Sequence, residues 1–480
     1  RSCLVGSEMC IRDRTKAPCW LLIVDIQNTT LRIDNLALIS LFGSSSLEKR
    51  YQKLSAFGRN MARVLNLRDF NVESKTVLVR VDINSPLQPK SQEFLDDTRI
   101  RAIIPTLNLL TKSKVVILAH QSRPGKKDFT NTLGHSRELG RVLGRNVKWV
   151  EDIHGEKAMK AIEELNDGEI LMLNNVRMDP EEVSVKGNFE EMAETKIIQR
   201  LSSVVDIFVN DAFACAHRNT PSIVGFTHTL PCVAGELMKR EIDALDVALE
   251  NPSRPCIAVV GGIKVEDSIS IADNMLRKGI ADEIWPTGGV ANLLIEYSGI
   301  DIGQGNHDFL VNELGDSYHQ TVATAKAMLN DFANKIMLPT DLAANVEDNR
   351  VDLTINELPI DAPIFDIGIM STMALSAAIK RAGTIILNGP AGVFELTDFA
   401  FGTIEMLNAC AESAGYVVVG GGHTATLIMN RGLSEKMGHL STGGGACLNY
   451  LAGRLLPGIA SLEYSAEKFK LKISQTITDN

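Results

Sequence analysis

Long apolar runs are missing from this 480-residue chain, and no stretch is long enough to span a bilayer. Cysteine is sparse. The eight residues Cys3, Cys10, Cys19, Cys215, Cys232, Cys256, Cys410 and Cys447 contain no C-x-x-C pair, which argues against zinc or iron–sulfur ligation. Scattered through apolar runs, they read as reduced core residues of a cytosolic protein. An excess of positive charge is also missing. The 49 Lys and Arg against 59 Asp and Glu leave a net charge of −10. That argues against a nucleic-acid coat or a binder of anionic membranes, although a local basic cleft can sit within an acidic protein. There is no G-x-x-x-x-G-K-[ST] and no well-placed G-x-G-x-x-G, which disfavours a P-loop enzyme and a dinucleotide-binding dehydrogenase. H-E-x-x-H and G-x-S-x-G are absent too. No low-complexity tract, heptad run or short repeat appears.

What is present is alternation. From Thr76 onward, apolar runs such as Val77–Val81, Val115–Ala119, Ile170–Leu173 and Asp206–Val209 precede helical-period segments, among them Arg99–Leu110, Leu133–Leu143 and Phe189–Leu201. The second half repeats this with Cys256–Val260, Glu283–Trp285, Lys335–Leu338, Thr384–Leu387, Tyr416–Val419 and His439–Ser441. Continuously apolar strands alternating with helices predict parallel sheets covered on both faces. Between the halves, Met238, Ile242, Leu245 and Leu249 form one apolar helix stripe that ends before Asn251-Pro252. The pattern predicts an α/β protein of two Rossmann-like lobes, each a mostly parallel sheet flanked by helices. The lobes are expected at 61–235 and 252–456, with a hinge helix at 236–251. A tail at 457–480 is expected to return to the first lobe. Residues 1–60 differ in texture. Their opening RSCLVGSEMCIRDR resembles translated adapter sequence, and Met61 reads as a natural start. They are expected to be an artefactual or disordered extension.

The strand ends of the first half collect cations. Asp82, Ile83 and Asn84 follow the first strand, where ligands of open α/β sheets bind. Asp82 and Asn84 could grip a hydroxyl or simply form a strand-end turn. Arg99 falls in the first turn of a helix, a poor place for a cation unless it has a partner. His120, Gln121, Ser122 and Arg123 follow the second strand, Arg177 follows Leu173, and His217-Arg218 closes NDAFACAHR. Arginines at successive strand–helix junctions suit a small, multiply charged anion.

The strand ends of the second half collect glycine. Gly261, Gly262 and Lys264 lie in VVGGIK, and Lys264 at a helix start calls for an anion. Gly288-Gly289 follows the next strand. Asn388, Pro390, Gly392, Val393 and Glu395 lie in NGPAGVFE, a rigid turn ending in a carboxylate suited to ribose hydroxyls. Gly420, Gly421, Gly422, His423 and Thr424 can cradle phosphate oxygens with successive amides. Gly443–Gly445 could do the same, or could permit close packing. Facing halves of these two kinds suit phosphoryl transfer.

VRVDIN, DDTRIR, HQSRP, NNVRMDPEE, VNDAFACAHR, GGIKVEDS, NGPAGVFE, GGGHT and STGGGA occur in the order found in the phosphoglycerate kinase family. The resemblance runs from about Met61 to the C-terminus. Gly420–His423 and Asp267-Ser268 look most like archaeal members. The resemblance implies a cytoplasmic, glycolytic, Mg²⁺-dependent kinase that moves phosphoryl reversibly between ATP and the carboxylate of 3-phosphoglycerate. It implies binding of the acid by Asp82, Ile83, Asn84, Arg99, His120, Gln121, Ser122, Arg123, Arg177 and Arg218. It implies binding of nucleotide by Gly262, Lys264, Gly288, Asn388, Pro390, Gly392, Val393, Glu395 and Gly420–Thr424. Arg99, Lys264, Gly421 and Gly422 would surround the transferring group, and no metal site made by protein alone is expected. The expected partners are these small molecules, not nucleic acid or membrane, with a monomer favoured over a homodimer.

Three positions depart from that pattern. Many members of the family have a second lysine where this chain has Ser268, and a Mg²⁺-contacting aspartate where it has His423. The usual glycine before Arg123 is Ser122. Two other readings stand beside this one: a kinase for another small acid, which would alter the arginine set that is intact here, and a nucleotide-binding scaffold without turnover, which Ser268 and His423 motivate.

Overall fold

The computed structural model describes residues 4–5, 8–9, 64–88 and 91–469. Residues Arg1–Asn60 form a unit separate from Met61–Asn480. Within the first unit, β1 (Leu4–Val5) pairs antiparallel with β2 (Glu8–Met9). The remainder of the expected extension lies outside the described residues, as do residues 470–480 of the expected tail.

Six parallel strands build the first sheet of the larger unit: β3 (Thr76–Val81), β4 (Lys114–Leu118), β5 (Val147–Trp149), β6 (Ile170–Met172), β7 (Ile207–Asp211) and β8 (Cys232–Ala234). Their order is β5-β6-β4-β3-β7-β8. The central strand β3 pairs Val77 with Val115 on one side and with Ile207 on the other. Its side chains alternate between two apolar layers. Leu78 joins Val116 and Phe208, while Val77 and Val79 join Val115 and Ile117. Covering both faces is what lets a continuous apolar run persist as a strand.

The second sheet is parallel as well, in the order β10-β9-β14-β15-β16. Its members are β9 (Cys256–Val260), β10 (Glu283–Pro286), β14 (Thr384–Asn388), β15 (Tyr416–Gly420) and β16 (His439–Leu440). A separate antiparallel sheet, β12-β11-β13, comprises β11 (Asp341–Val346), β12 (Asn349–Thr354) and β13 (Ile364–Ile367). Among the described residues, five cysteines are free and buried, and no helix is long and apolar enough to cross a membrane.

Several elements differ from the sequence pattern. Lys335–Leu338 is not a strand. Only a single bridge joins Ile336 to Ile284, and Pro339 ends the run by removing an amide from any ladder. The expected Arg99–Leu110 helix is two helices, Thr98–Ala102 and Ile104–Leu109, because Pro105 supplies no amide and interrupts the ladder. Phe189–Leu201 is likewise divided, with Thr195 extended between Phe189–Ala193 and Lys196–Ser202.

The helix Glu236–Glu250 runs between the two large sheets. Its stripe of Met238, Ile242, Leu245 and Ala248 is buried in one apolar cluster that contains Phe208 from the first sheet and Val260 from the second. A side chain such as Leu245, wholly buried, stabilises this junction by roughly 1.5–3 kcal/mol. The helix start is fixed to the first sheet by Asp211, whose carboxylate accepts the Leu237 and Met238 amides at 2.9 and 3.1 Å. Its middle is fixed to the second sheet by Glu241, which pairs with His439 at 2.8 Å and accepts the Thr442 amide at 2.8 Å. Burial pushes the Glu241 carboxyl up, but its bonds to His439 and Thr442 outweigh this and hold it below the usual range. The helix Pro457–Lys468 packs against the first sheet, where Ser465 Oγ accepts the Cys232 amide at 2.9 Å.

Candidate active site

The carboxyl end of β3 turns sharply into its loop. Ile83 is wholly buried and anchors the turn. Asp82, also buried, forms an ion pair with Arg99 from the start of the next helix. The Asn84 amide donates to Asp82 at 3.1 Å, and its side-chain oxygen accepts the Ser122 amide at 2.7 Å. The first and second strand ends are therefore stitched together through Asn84.

After β4 the chain places His120, Gln121 and Ser122 over the same edge. Gln121 has no exposed surface. Its side chain exchanges bonds with the Ser85 backbone at 3.2 and 3.0 Å and meets His135 Nε2 at 2.9 Å. Its side chain holds two loops together. Ser122 adopts φ +54°, a left-handed conformation that favours glycine. Three bonds hold it there: its amide to Asn84, its hydroxyl to Asp128 at 2.6 Å, and its carbonyl from the Arg177 guanidinium.

Arg177 and Arg218 come from turns after β6 and β7, and Arg123 stands exposed on its loop. Together with Arg80 and Lys186 these cations line a cavity of about 330 Å³ whose only acid is Glu182. Burial, then the charge of Arg218, lowers the Arg177 pKa. His120 is held well below its ordinary value by burial, and after that by Arg80, Arg177, Arg218 and Arg99. The imidazole is therefore neutral in a strongly cationic site whose charge suits an anion. Arg80 is the residue that motif reading misses. The available signal was an arginine inside an otherwise apolar strand, because a buried charge needs a partner or a purpose. Asp82, His120 and Cys215 lie close enough to share a metal ion. Their chemistry opposes this, because Arg99 occupies Asp82, arginines surround His120, and burial raises the Cys215 thiol to about 11.

His217 leaves this group. Its ring sits 3.8 Å from where a Cβ on Gly445 would be, and a Cβ on Gly443 would strike the Phe213 ring. Gly443 therefore serves close contact between the two halves.

At the second sheet, adjacency of β10, β9, β14 and β15 gathers the glycine turns at one edge. The Gly261 amide donates to Asn388 O at 2.7 Å and the Gly262 amide to Pro390 O at 3.0 Å. Gly262 has φ +75° and Gly288 φ +52°, and a Cβ on Gly288 would lie 3.1 Å from the Gly262 nitrogen. Gly392 has its amide held by Thr403 at 3.1 Å, Val393 bonds to Phe365 O at 2.8 Å, and Glu395 is exposed beyond them. Lys264 is exposed at the start of the helix Val265–Arg277. Gly421, at φ +88°, opens the helix Gly422–Asn430, with His423 exposed and the buried Thr424 Oγ1 unpartnered among the described residues. Free amides at such a start attract phosphate. Ser268 is wholly buried. It donates to Gly261 O at 3.2 Å and accepts from Asn388 at 3.0 Å, bracing the two turns from behind.

A cationic strand edge and a glycine-and-lysine strand edge, set on two sheets joined by one helix, define a bilobal phosphotransferase for a small anion. The family model for phosphoglycerate kinase matches residues 67–454. A phosphoglycerate kinase of Methanobacterium bryantii is 45% identical, with 82% of this chain and 96% of that protein covered. One from Thermoplasma volcanium is 37% identical over 86% of this chain and all of its own length. The crystal structure of phosphoglycerate kinase from Pyrococcus horikoshii superposes with a TM-score of 0.76 at 39% identity, covering 84% of this chain and 100% of that one. The chain belongs to the phosphoglycerate kinase family.

Proposed function

We propose a division of labour between the two strand edges for the reaction this chain performs as a member of its family, reversible phosphoryl transfer between ATP and the carboxylate of 3-phosphoglycerate. Asp82 and Asn84 orient the acid's hydroxyl. His120, Arg123, Arg177 and Arg218 bind its anionic groups, with Ile83, Gln121 and Ser122 shaping the loops that present them. Gly262, Lys264, Gly288, Asn388, Pro390, Gly392, Val393, Glu395 and Gly420–Thr424 hold the nucleotide, which brings Mg²⁺ on its phosphates. No carboxylate stands in Gly420–Thr424, so this turn would leave the ion to be held mainly by the nucleotide phosphates and water. The accepting carboxylate is already ionised at neutral pH and needs no general base. Catalysis is positioning and charge stabilisation by Arg99, Lys264 and the amides near Gly421-Gly422, assembled when the lobes close about the Glu236–Glu250 helix. The enzyme works in the cytoplasm as a monomer.

The observation that carries this reading is the buried His120 surrounded by Arg80, Arg177, Arg218 and Arg99 at one strand edge, together with the exposed Lys264 among glycine turns at the other. Calorimetry on two variants tests it. Arg177→Ala should weaken 3-phosphoglycerate binding and spare ATP, and Lys264→Ala should do the reverse. Exchange of the two phenotypes would reverse the assignment of the lobes. A coupled assay with 3-phosphoglycerate and other small acids separates this activity from a kinase of different specificity and from a silent scaffold.

A further inference from the structure

Arg80 is only 2% exposed, yet it sits at the floor of the cationic cavity. Its Nε donates to Ser222 Oγ at 3.0 Å, one Nη donates to the Val81 carbonyl, and the other lies 3.2 Å from His120 Nδ1. Ser222 is itself held by Glu182, its hydroxyl donating to Oε1 at 2.7 Å and its amide to Oε2 at 2.8 Å. Glu182, Ser222, Arg80 and His120 thus form one buried chain. At its far end, His120 Nε2 lies 3.2 Å from a guanidinium nitrogen of Arg218.

This arrangement carries a conflict. A guanidinium has donors only, and a neutral imidazole has one donor and one acceptor. His120 therefore accepts from one arginine and aims an N–H at the other. The groups facing the ring decide which. Arg80 is fixed by Val81 and Ser222 and cannot turn away. Arg218 is partly exposed at the cavity wall and can. Asp82 and the Cys215 thiol also approach the ring, but Arg99 occupies Asp82 and burial keeps the thiol protonated. Arg99 and Arg177 add positive charge without a bond to either ring nitrogen.

We propose that Arg80 is a positioning residue that locks His120 as the Nε2–H tautomer, so that an anionic oxygen of 3-phosphoglycerate enters between that N–H and the Arg218 fork. The free site holds two donors facing each other. An entering oxygen gives both an acceptor, which makes the opposition a source of affinity for anions and of indifference to neutral analogues. Glu182 acts through Ser222 to keep Arg80 in place. This rests on the assignment of His120 and Arg218 to the acid substrate.

The test is ¹⁵N NMR of the imidazoles in the full chain, with the His120 signals assigned through His120→Gln. The wild type should show an unprotonated Nδ1 and a protonated Nε2 from pH 6 to 8, and the Nε2–H signal should move when 3-phosphoglycerate is added. Ser222→Ala releases Arg80 Nε while leaving every charge in place. It should give mixed tautomers and raise KM for 3-phosphoglycerate about tenfold, the value of one aligned charge-assisted hydrogen bond, with KM for ATP unchanged. Ser222→Thr keeps the hydroxyl and should restore both. An Nδ1–H tautomer in the wild type overturns the proposal. So does a Ser222→Ala protein whose tautomer is unchanged while its KM rises, because the residue would then be merely structural. If instead Arg177→Ala leaves 3-phosphoglycerate affinity intact by calorimetry, the site assignment itself is what has failed.

Discussion

Replacing Asp211 by asparagine should change how stability depends on pH, and should do so through the hinge helix. The Asp211 carboxylate is wholly buried. One oxygen accepts the Leu237 and Met238 amides, and the other accepts the Thr106 hydroxyl at 2.6 Å, while Thr106 in turn accepts the Glu236 amide at 2.8 Å. A Cβ on Gly235 would collide with this carboxylate, so glycine there is what permits the approach. Burial raises the carboxyl from 3.8 to about 7 against the pull of these bonds. The folded state therefore holds a proton on Asp211 between about pH 4 and 7, and the unfolded chain does not. Stability from this group is complete below the unfolded value and is lost as pH rises to about 7. A rise of that size corresponds to ~4 kcal/mol, which is a ceiling because proteins relax around buried charge. The asparagine side chain fixes the neutral form. It keeps an oxygen for the two amides and turns its NH₂ toward Thr106, at a cost of about 1 kcal/mol for the altered bond. Urea unfolding of both proteins from pH 4.5 to 8.5 measures the difference, with all other titrations cancelling. The wild type should be the more stable near pH 4.5 and should lose ground steadily to Asp211→Asn up to pH 7, then run parallel. Parallel curves throughout would mean that Asp211 titrates normally and that the buried cap is not where this pH dependence originates.

Arg99→Ala should lower turnover on the order of a hundredfold with little change in ATP affinity, as steady-state kinetics would show, because it removes a contact made in the transition state; near-normal turnover would take Arg99 out of the catalytic set. Ser122→Val should cost about 1–3 kcal/mol in thermal unfolding, since a β-branched residue resists φ +54°, whereas Ser122→Gly should stay within ~1 kcal/mol because relief of strain offsets the lost bond to Asp128. His423→Asp should be tolerated without raising the Mg²⁺ needed for half-maximal activity, because a carboxylate suits that hard cation better than imidazole does; loss of activity at every Mg²⁺ concentration would give His423 a role of its own.

What the sequence discloses and what it hides follow from the range of the interactions involved. The helix Glu236–Glu250 is legible because its apolar stripe and the Asn251-Pro252 stop are local. The parallel strands are legible because burial on both faces leaves unbroken apolar runs. The antiparallel sheet is not. In β12 only Leu353 is buried, so that strand carries almost no apolar signal, and β11 holds the sheet together by pairing with β12 on one side and β13 on the other. Lys335–Leu338 shows the converse, an apolar run whose pairing stops at the single Ile336 bridge before Pro339. At the site, the junction arginines stand out because cations are unexpected at helix starts and strand ends. Arg80 does not, although it is the most deeply held cation of the group. Its meaning lies in Ser222, 142 positions away, and in His120, 40 positions away. The same holds for Ser268. By sequence it looks like a missing lysine, but in the fold it braces Gly261 against Asn388, 120 positions on. A local pattern reports which backbone a segment will form and where charge will be exposed. Which donor meets which acceptor is set only when distant strands come into register, as they do where His120 lies between Arg80 and Arg218.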